Sequence, residues 1–262
     1  MENNLSICIT TFKQRREMIK DLVNKIRNFV PEYVDIILLI NGNNQEEMPD
    51  DYRREMLQLS YSYKNIYPIF CPEFKSLSKL WNTGIIFSKT EYNLVLNDDV
   101  EFSNPNAYNQ IIDHLQNSND ELFTIGHEFS HFVCGKTILH KLGYFDERLC
   151  AFGEEDGDMH YRYKRMFGSD IPIVSIGGIR NKYAYSLSSE NLETHCQNKP
   201  RLNREIFFQM YEMDSPEGIK TRLHGPNRLV KIKPDIQQYP YEIFARNNVH
   251  NIAKFEKVIF DD

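Results

Sequence analysis

Short apolar runs alternate with stretches of helical period from the start of this chain, and that alternation restricts it to a layered α/β fold. Residues 5 to 10 read as a buried strand, and Met18, Leu22, Ile26 and Phe29 then fall on one helical face. A second strand, residues 36 to 40, stops at Asn41-Gly42-Asn43-Asn44, residue types that tolerate positive φ and favour a turn. Residues 45 to 65 are polar and acidic and carry no assigned element, and residues 66 to 70 offer a third strand. Leu77, Leu80, Trp81, Gly84 and Ile85 follow at helical spacing, which makes Trp81 a core residue rather than a ligand-stacking one. A fourth strand, residues 93 to 96, runs straight into Asn97-Asp98-Asp99, and Tyr108, Ile111, Ile112 and Leu115 form another helical stripe. Further strands are expected at 122 to 125, 132 to 134 and 171 to 176, with a turn at Gly177-Gly178.

Past about residue 200 the alternation gives way to a tract punctuated by Pro200, Pro216, Pro226, Pro234 and Pro240. The expected division is therefore an α/β domain over residues 1–199 and an irregular C-terminal appendage over 200–262. Phe207, Phe208, Tyr239, Tyr241 and Phe244 make that appendage packed rather than disordered, suited to form a homo-oligomer contact.

Composition removes several classes of function. No stretch approaches the roughly 18 uninterrupted apolar residues that a membrane-spanning helix requires. With 31 basic against 37 acidic side chains the net charge is −6, and no basic tract exceeds the dipeptides Arg15-Arg16 and Arg53-Arg54. A nucleic-acid backbone needs concentrated positive charge, so it is not an expected partner. Five cysteines without CxxC spacing argue against a disulfide framework or a zinc ribbon, and the opening MENNLSICITTF lacks the pattern of a secretory signal. A cytoplasmic location is expected. Peripheral association with a membrane is left open, although no basic amphipathic helix demands it.

Three clusters could carry chemistry. Asn97-Asp98-Asp99 follows an uncharged strand, and in open α/β sheets ligands bind beyond the carboxyl ends of strands. Two adjacent carboxylates repel, and a hard divalent cation bridging substrate phosphates would offset them; a solvated turn is the plainer reading. Gly153-Glu154-Glu155-Asp156-Gly157-Asp158 places four carboxylates in five positions ahead of a helical stripe of Met159, Tyr163, Met166 and Phe167, with Arg162, Lys164 and Arg165 expected to turn outward. Helix capping accounts for one or two of these acids but not four, and a carboxylate perturbed by its neighbours suits a general base. His195, in a polar segment, could complete a metal site with an upstream carboxylate, although no spacing selects it among eight histidines. His127 and His131 lie four apart, but Phe129 and Phe132 beside them suggest strand or loop, where that spacing does not pair side chains. Phosphate loops of the GxGxxG or GxxxxGK[ST] kind are missing, as are GxSxG and HExxH.

Taken in order, these pieces resemble a GT-A-fold glycosyltransferase, close to the family 2 type and with a galactosyltransferase-like C-terminal pattern. The resemblance covers roughly residues 4 to 196. It is carried by Ser6-Ile7-Cys8-Ile9-Thr10-Thr11-Phe12, Asn41-Gly42, Trp81-Asn82-Thr83-Gly84-Ile85 and the segment 92 to 100 with its Asn97-Asp98-Asp99. Leu142-Gly143-Tyr144-Phe145-Asp146-Glu147, then Phe152 to Asp158 and Arg162, complete the pattern. It implies a nucleotide-binding, Rossmann-like mixed sheet flanked by helices, and an inverting hexosyltransferase that uses Mn2+ or Mg2+. The donor would be a nucleoside-diphosphate sugar, with a UDP-sugar preferred, and the acceptor a hydroxyl of a glycan or glycoconjugate. Thr10, Thr11, Phe12, Asn41, Asn82, Asn97 and Asp98 would bind the nucleotide sugar. Asp99 and His195 would hold the metal, and Asp156, paired with Glu155, would be the general base.

The chain departs from that family at three places. Asn97 stands where the DxD-type motif often begins with aspartate, which shifts metal duty to Asp99. Asn41 stands where many relatives carry an aspartate that pairs with uracil, and Trp81 where an arginine often precedes the Asn82 equivalent. Two other classes compete. A nucleotidyltransferase on a similar fold would open with a glycine- and arginine-rich loop, whereas the loop here, Thr10 to Arg16, has no glycine. A non-catalytic carbohydrate- or nucleotide-binding protein would have little reason to carry Asp98, Asp99, Glu155, Asp156 and His195 together.

Overall fold

A computed structural model describes residues 4–12, 15–42, 47–126, 129–147, 149 and 155–182, and the backbone of two short strands further on. In chain order the elements are β1 (Leu5–Phe12), α1 (Arg16–Phe29), β2 (Ile36–Asn41), α2 (Asp50–Tyr61), β3 (Ile66–Cys71), α3 (Leu77–Phe87), β4 (Tyr92–Asn97) and β5 (Val100–Phe102). Then come α4 (Ala107–Asn117), β6 (Leu122–Ile125), β7 (His131–Gly135), α5 (Lys136–Leu142), α6 (Glu155–Phe167), β8 (Ile173–Val174) and β9 (Ile179–Asn181). The two later strands, β10 (Tyr211–Met213) and β11 (Val230–Ile232), pair antiparallel with each other, apart from the main sheet. His195, Glu154 and the aromatic residues named in the appendage lie outside the described residues.

The described residues group into two compact units. One takes in those of Met1–Lys75, Leu80–Leu139 and Ile171–Glu193, the other those of Ser76–Lys79, His140–Asp170 and Thr194–Asp262. The first unit is built on a seven-stranded sheet in the order β3-β2-β1-β4-β7-β6-β8. β3, β2, β1 and β4 run parallel, while β7 is antiparallel to both β4 and β6. The chain therefore steps outward from β1 to β2 and β3, then returns to β1's other side as β4. The strand order reverses there, which opens a crevice beyond the carboxyl ends of β1 and β4.

The apolar runs behave as strands buried on both faces should: every residue of β2 is buried, and so is β1 up to Thr11. On one face Ile7, Ile9, Leu38, Ile40, Leu94 and Leu96 share a core with side chains of α1, α2 and α4. α1 contributes Ile19, Leu22, Val23 and Ile26, each stabilising the fold by about 1.5–3 kcal/mol through burial. On the other face α3 lies so close to the sheet that a Cβ at Gly84 would fall 2.7 Å from a Leu39 methyl and 3.2 Å from Cys8. Trp81 is 2% exposed and meets Phe132 edge-on, as a core residue would.

Several sequence expectations need correction. α1 turns Ile19 and Val23 inward, and Met18 is only half-buried. Residues 45 to 65 contain a helix, α2, whose Tyr52, Met56 and Leu59 occupy one face at helical spacing. β5 and β9 form a separate antiparallel ribbon that the strand pattern did not single out. The strand expected over 171 to 176 shrinks to β8, because Pro172 lies directly ahead of it and Gly177-Gly178 soon after.

Candidate functional site

The carboxyl ends of three strands converge by register. Phe12 lies beside Asn41, and Thr10 beside Asn97, so the ends of β1, β2 and β4 share one edge of the sheet. Thr10 donates its hydroxyl to the Asn97 side-chain oxygen at 3.0 Å, and the Asn97 amide donates to the Ser130 carbonyl at 2.9 Å. Asn97 thus locks β4 to β1 and β7 immediately before the acids. Asn41 makes a cyclic pair with the backbone of Lys75, its side chain donating to the carbonyl and accepting from the amide, both at 2.8 Å. Beside it, a Cβ on Gly42 would lie 1.9 Å from the Pro72 carbonyl oxygen, so only glycine lets the two loops approach. Asn82 is buried on α3 with 1% exposure.

Asp98 and Asp99 follow β4 at the point where the strand order reverses. The Asp98 side chain is 3% exposed and that of Asp99 22%. The Arg15 guanidinium spans both, with Nη1 2.8 Å from Asp98 Oδ1 and 2.9 Å from Asp99 Oδ2, and lies 5.0 Å from the Phe12 ring centroid. Burial pushes the Asp98 carboxyl up to about 6; Arg15 opposes that shift and Asp99 adds to it. Burial works equally against the Arg15 charge, but Asp98 and then Asp99 more than offset it. A chain of hydroxyls stands behind Asp98. Thr11 Oγ1, Tyr52 Oη and Asp98 Oδ2 are buried without a well-angled hydrogen bond, yet Thr11 is close enough to lower the pKa of both neighbours.

Two further pieces border the acids. Burial lowers His131 to about 4 against the pull of Asp99, so its imidazole is neutral at pH 7, and its Nδ1 lies 2.7 Å from the Ser130 hydroxyl. The Lys182 amide donates to the Asp99 carbonyl at 2.8 Å, continuing the β5–β9 ladder to the site. The buried thiols of Cys8 and Cys134 are both raised by burial, Cys8 to about 12, which leaves them protonated and poor nucleophiles.

A divalent cation fits this donor set. The pair carries two formal charges and Arg15 offsets one; Asp98 Oδ2 and Asp99 Oδ1 are buried without a well-angled partner, and the 22% exposed side of Asp99 is where a cation would approach. Among the described residues no group of three or more His, Cys, Asp or Glu side chains converges to cage a metal. That suits a hard cation held by one or two carboxylates and completed by substrate phosphates.

In the second unit Glu155, Asp156 and Asp158 occupy the first turn of α6. Glu155 is buried, and Asp156 is half-buried and accepts the Gly157 amide at 2.8 Å. Arg162 does not turn outward as expected. It folds back one helical turn onto Asp158, which is 1% exposed, and donates to the carbonyls of Leu142 and Gly143 at 2.9 and 3.0 Å. One acid of the cluster therefore serves structure.

Sequence reasoning missed Arg15, Tyr52 and His131. Arg15 was weighed only as half of a basic dipeptide, and Tyr52 was hidden in the segment left without an element. His131 lies four residues from His127, a spacing that pairs side chains in a helix and not at the start of a strand, where it stands.

An open, mostly parallel α/β sheet with paired carboxylates at its switch point is a Rossmann-like scaffold. More particularly, the architecture is the GT-A fold of glycosyltransferases. No family model matches the chain, and no curated protein matches its sequence. Solved structures do match in fold. A mannosyltransferase from Pyrobaculum calidifontis, solved with GDP-Man and Mn2+, is similar with TM-score 0.58 at 8% identity, over 84% of this chain and 68% of its own. Glucosyl-3-phosphoglycerate synthase from Mycobacterium tuberculosis, solved with Mn2+, UDP and glucosyl-3-phosphoglycerate, gives 0.56 at 10% identity over 92% of each chain. S. aureus TarS, in a 1–349 form with UDP-GlcNAc, gives 0.51 at 10% identity over 79% of this chain and 71% of its own. Among the described residues no helix is long and apolar enough to cross a membrane.

Proposed function

We propose that this chain is a metal-dependent glycosyltransferase that moves a sugar from a nucleoside-diphosphate sugar to a hydroxyl of a glycan or glycoconjugate, with inversion at the anomeric carbon. The observation that carries this reading is the Asp98–Asp99 pair beyond β4, at the switch point of a GT-A sheet. The solved proteins of this fold bind GDP-Man, UDP or UDP-GlcNAc, and two of them Mn2+.

Thr10, Thr11, Phe12 and the Asn41–Lys75 loop form the wall for the nucleotide, and Asn41 acts by shaping that wall, since its amide is engaged with Lys75. Asn97 holds β4 in register so that Asp98 and Asp99 emerge at fixed positions. Asp99, with His195 from beyond the described residues, would hold the cation, and Asn82 would contribute from α3. Bound there, Mn2+ or Mg2+ supplies charge to the departing diphosphate. Asp156, supported by Glu155, takes the acceptor hydroxyl's proton as that oxygen attacks the sugar. A UDP-sugar is the preferred donor. The tail over 200–262 covers the acceptor or forms a contact between copies, on a catalytic domain of 1–199.

Incubation with a panel of UDP- and GDP-sugars and Mn2+ is expected to yield donor hydrolysis or transfer. No turnover and no nucleotide binding with any donor would refute the reading. Asp156→Asn is expected to abolish transfer while sparing donor binding, and loss of both together would remove Asp156 as the base.

A further inference from the structure

Arg15 is the cation that the fold brings to both acids, from 83 residues away in sequence. One nitrogen, Nη1, with its two N–H bonds, serves the two carboxylates at 2.8 and 2.9 Å. The remaining oxygens, Asp98 Oδ2 and Asp99 Oδ1, are closed off from solvent, while the Asp99 side chain keeps 22% of its surface exposed. A cation arriving from solvent therefore meets the Asp99 oxygen that Arg15 already contacts. Two positive charges against one oxygen repel strongly at that range, so metal and guanidinium compete for it. Arg15 is also free of a structural duty that would pin it. It stands at the N-cap of α1 without capping that helix through its side chain, and the Phe12 ring beside it offers a face along which a guanidinium can rest.

We propose that Arg15 is an exchangeable counter-ion: it neutralises Asp98 and Asp99 until a divalent cation takes Asp99, and then moves onto the diphosphate of the donor. A planar guanidinium binds phosphate oxygens through paired, charge-assisted hydrogen bonds, which makes the exchange favourable once a diphosphate is present. The proposal rests on the transferase reading of the site and gives Arg15 two opposed effects. It resists the metal alone, because an ion pair must be broken. It favours metal and diphosphate together, because the displaced guanidinium gains a new partner, and the two ligands therefore bind cooperatively.

The test uses the full chain and its Arg15→Gln variant, with Mn2+ binding alone followed by electron paramagnetic resonance. Binding of UDP, GDP and pyrophosphate at saturating Mn2+ is followed by calorimetry. Arg15→Gln is expected to bind Mn2+ alone at least about tenfold more tightly, and a diphosphate at least about tenfold more weakly. Unchanged or weaker Mn2+ binding would overturn the competition and leave Arg15 a structural prop, as would the absence of Mn2+ binding by either protein. Unchanged diphosphate affinity, or no diphosphate bound by the wild type, would overturn the second step. Should Arg15→Gln fail to fold, the same two shifts in smaller measure are required of Arg15→Lys, which keeps the charge but not the fork, and their absence overturns the proposal equally. The Mn2+ titration needs no nucleotide. A failed donor screen with the Mn2+ shift intact would remove the transferase reading and leave the competition standing.

Discussion

Asp98 costs the fold stability above mildly acidic pH, and the cost can be read as a pH slope. Burial raises its pKa from the ordinary 3.8 to about 6, with Arg15 offsetting only part of the shift. For an acid whose folded pKa lies above its unfolded value, the native state holds its proton longer. The penalty is absent below the unfolded pKa, grows as the pH rises between the two values, and is complete above about 6. Two units correspond to about 3 kcal/mol, of which about 2 kcal/mol falls between pH 4 and pH 7. Asp98→Asn removes the titration while keeping the side chain's shape. Denaturant unfolding of both proteins, with metal chelated and the buried Trp81 as fluorescent probe, should show the variant gaining about 2 kcal/mol on the wild type from pH 4 to pH 7. A difference that stays flat would show that Asp98 titrates alike in both states. One that favours the wild type as pH rises would show that Arg15 outweighs burial, reversing the electrostatic account of the site.

Two substitutions test the supports around the chemistry. Gly42→Ala places a methyl 1.9 Å from the Pro72 carbonyl oxygen; it should lower stability by at least about 2 kcal/mol in denaturant titration and weaken nucleotide binding as the Asn41–Lys75 loop shifts. Arg162→Ala takes the guanidinium away from the buried Asp158 carboxylate and from two carbonyls; a loss of about 1.5–3 kcal/mol is expected in the same titration, with Arg162→Lys recovering only part because it cannot fork.

The parallel half of the sheet was legible because strands buried on both faces are mostly apolar: β2 is so up to Asn41, and β1 and β4 keep apolar runs around Ser6 and Asn93. β5 and β9 were not, since three-residue strands in a ribbon of their own carry too few positions for a period to register. α2 was passed over because its polar face, with Asp50, Asp51, Arg53, Arg54 and Glu55, dominates its composition, although Tyr52, Met56 and Leu59 keep the helical spacing.

The charges followed another rule. Local reading placed Asp98 and Asp99 correctly beyond a strand, but it could judge their repulsion only against each other. Their counter-ion stands 83 residues earlier, and only the parallel register of β1 with β4 brings it alongside. The α6 acids show the same limit at shorter range: Asp158 and Arg162 are one helical turn apart, yet the neighbouring carbonyls of Leu142 and Gly143 decide that Arg162 points inward. An acidic cluster in sequence is therefore a statement about unpaired charge only until the fold supplies its cations. At Asp98 and Asp99 the described residues supply one guanidinium against two carboxylates, and the surplus negative charge is what a divalent cation would offset there.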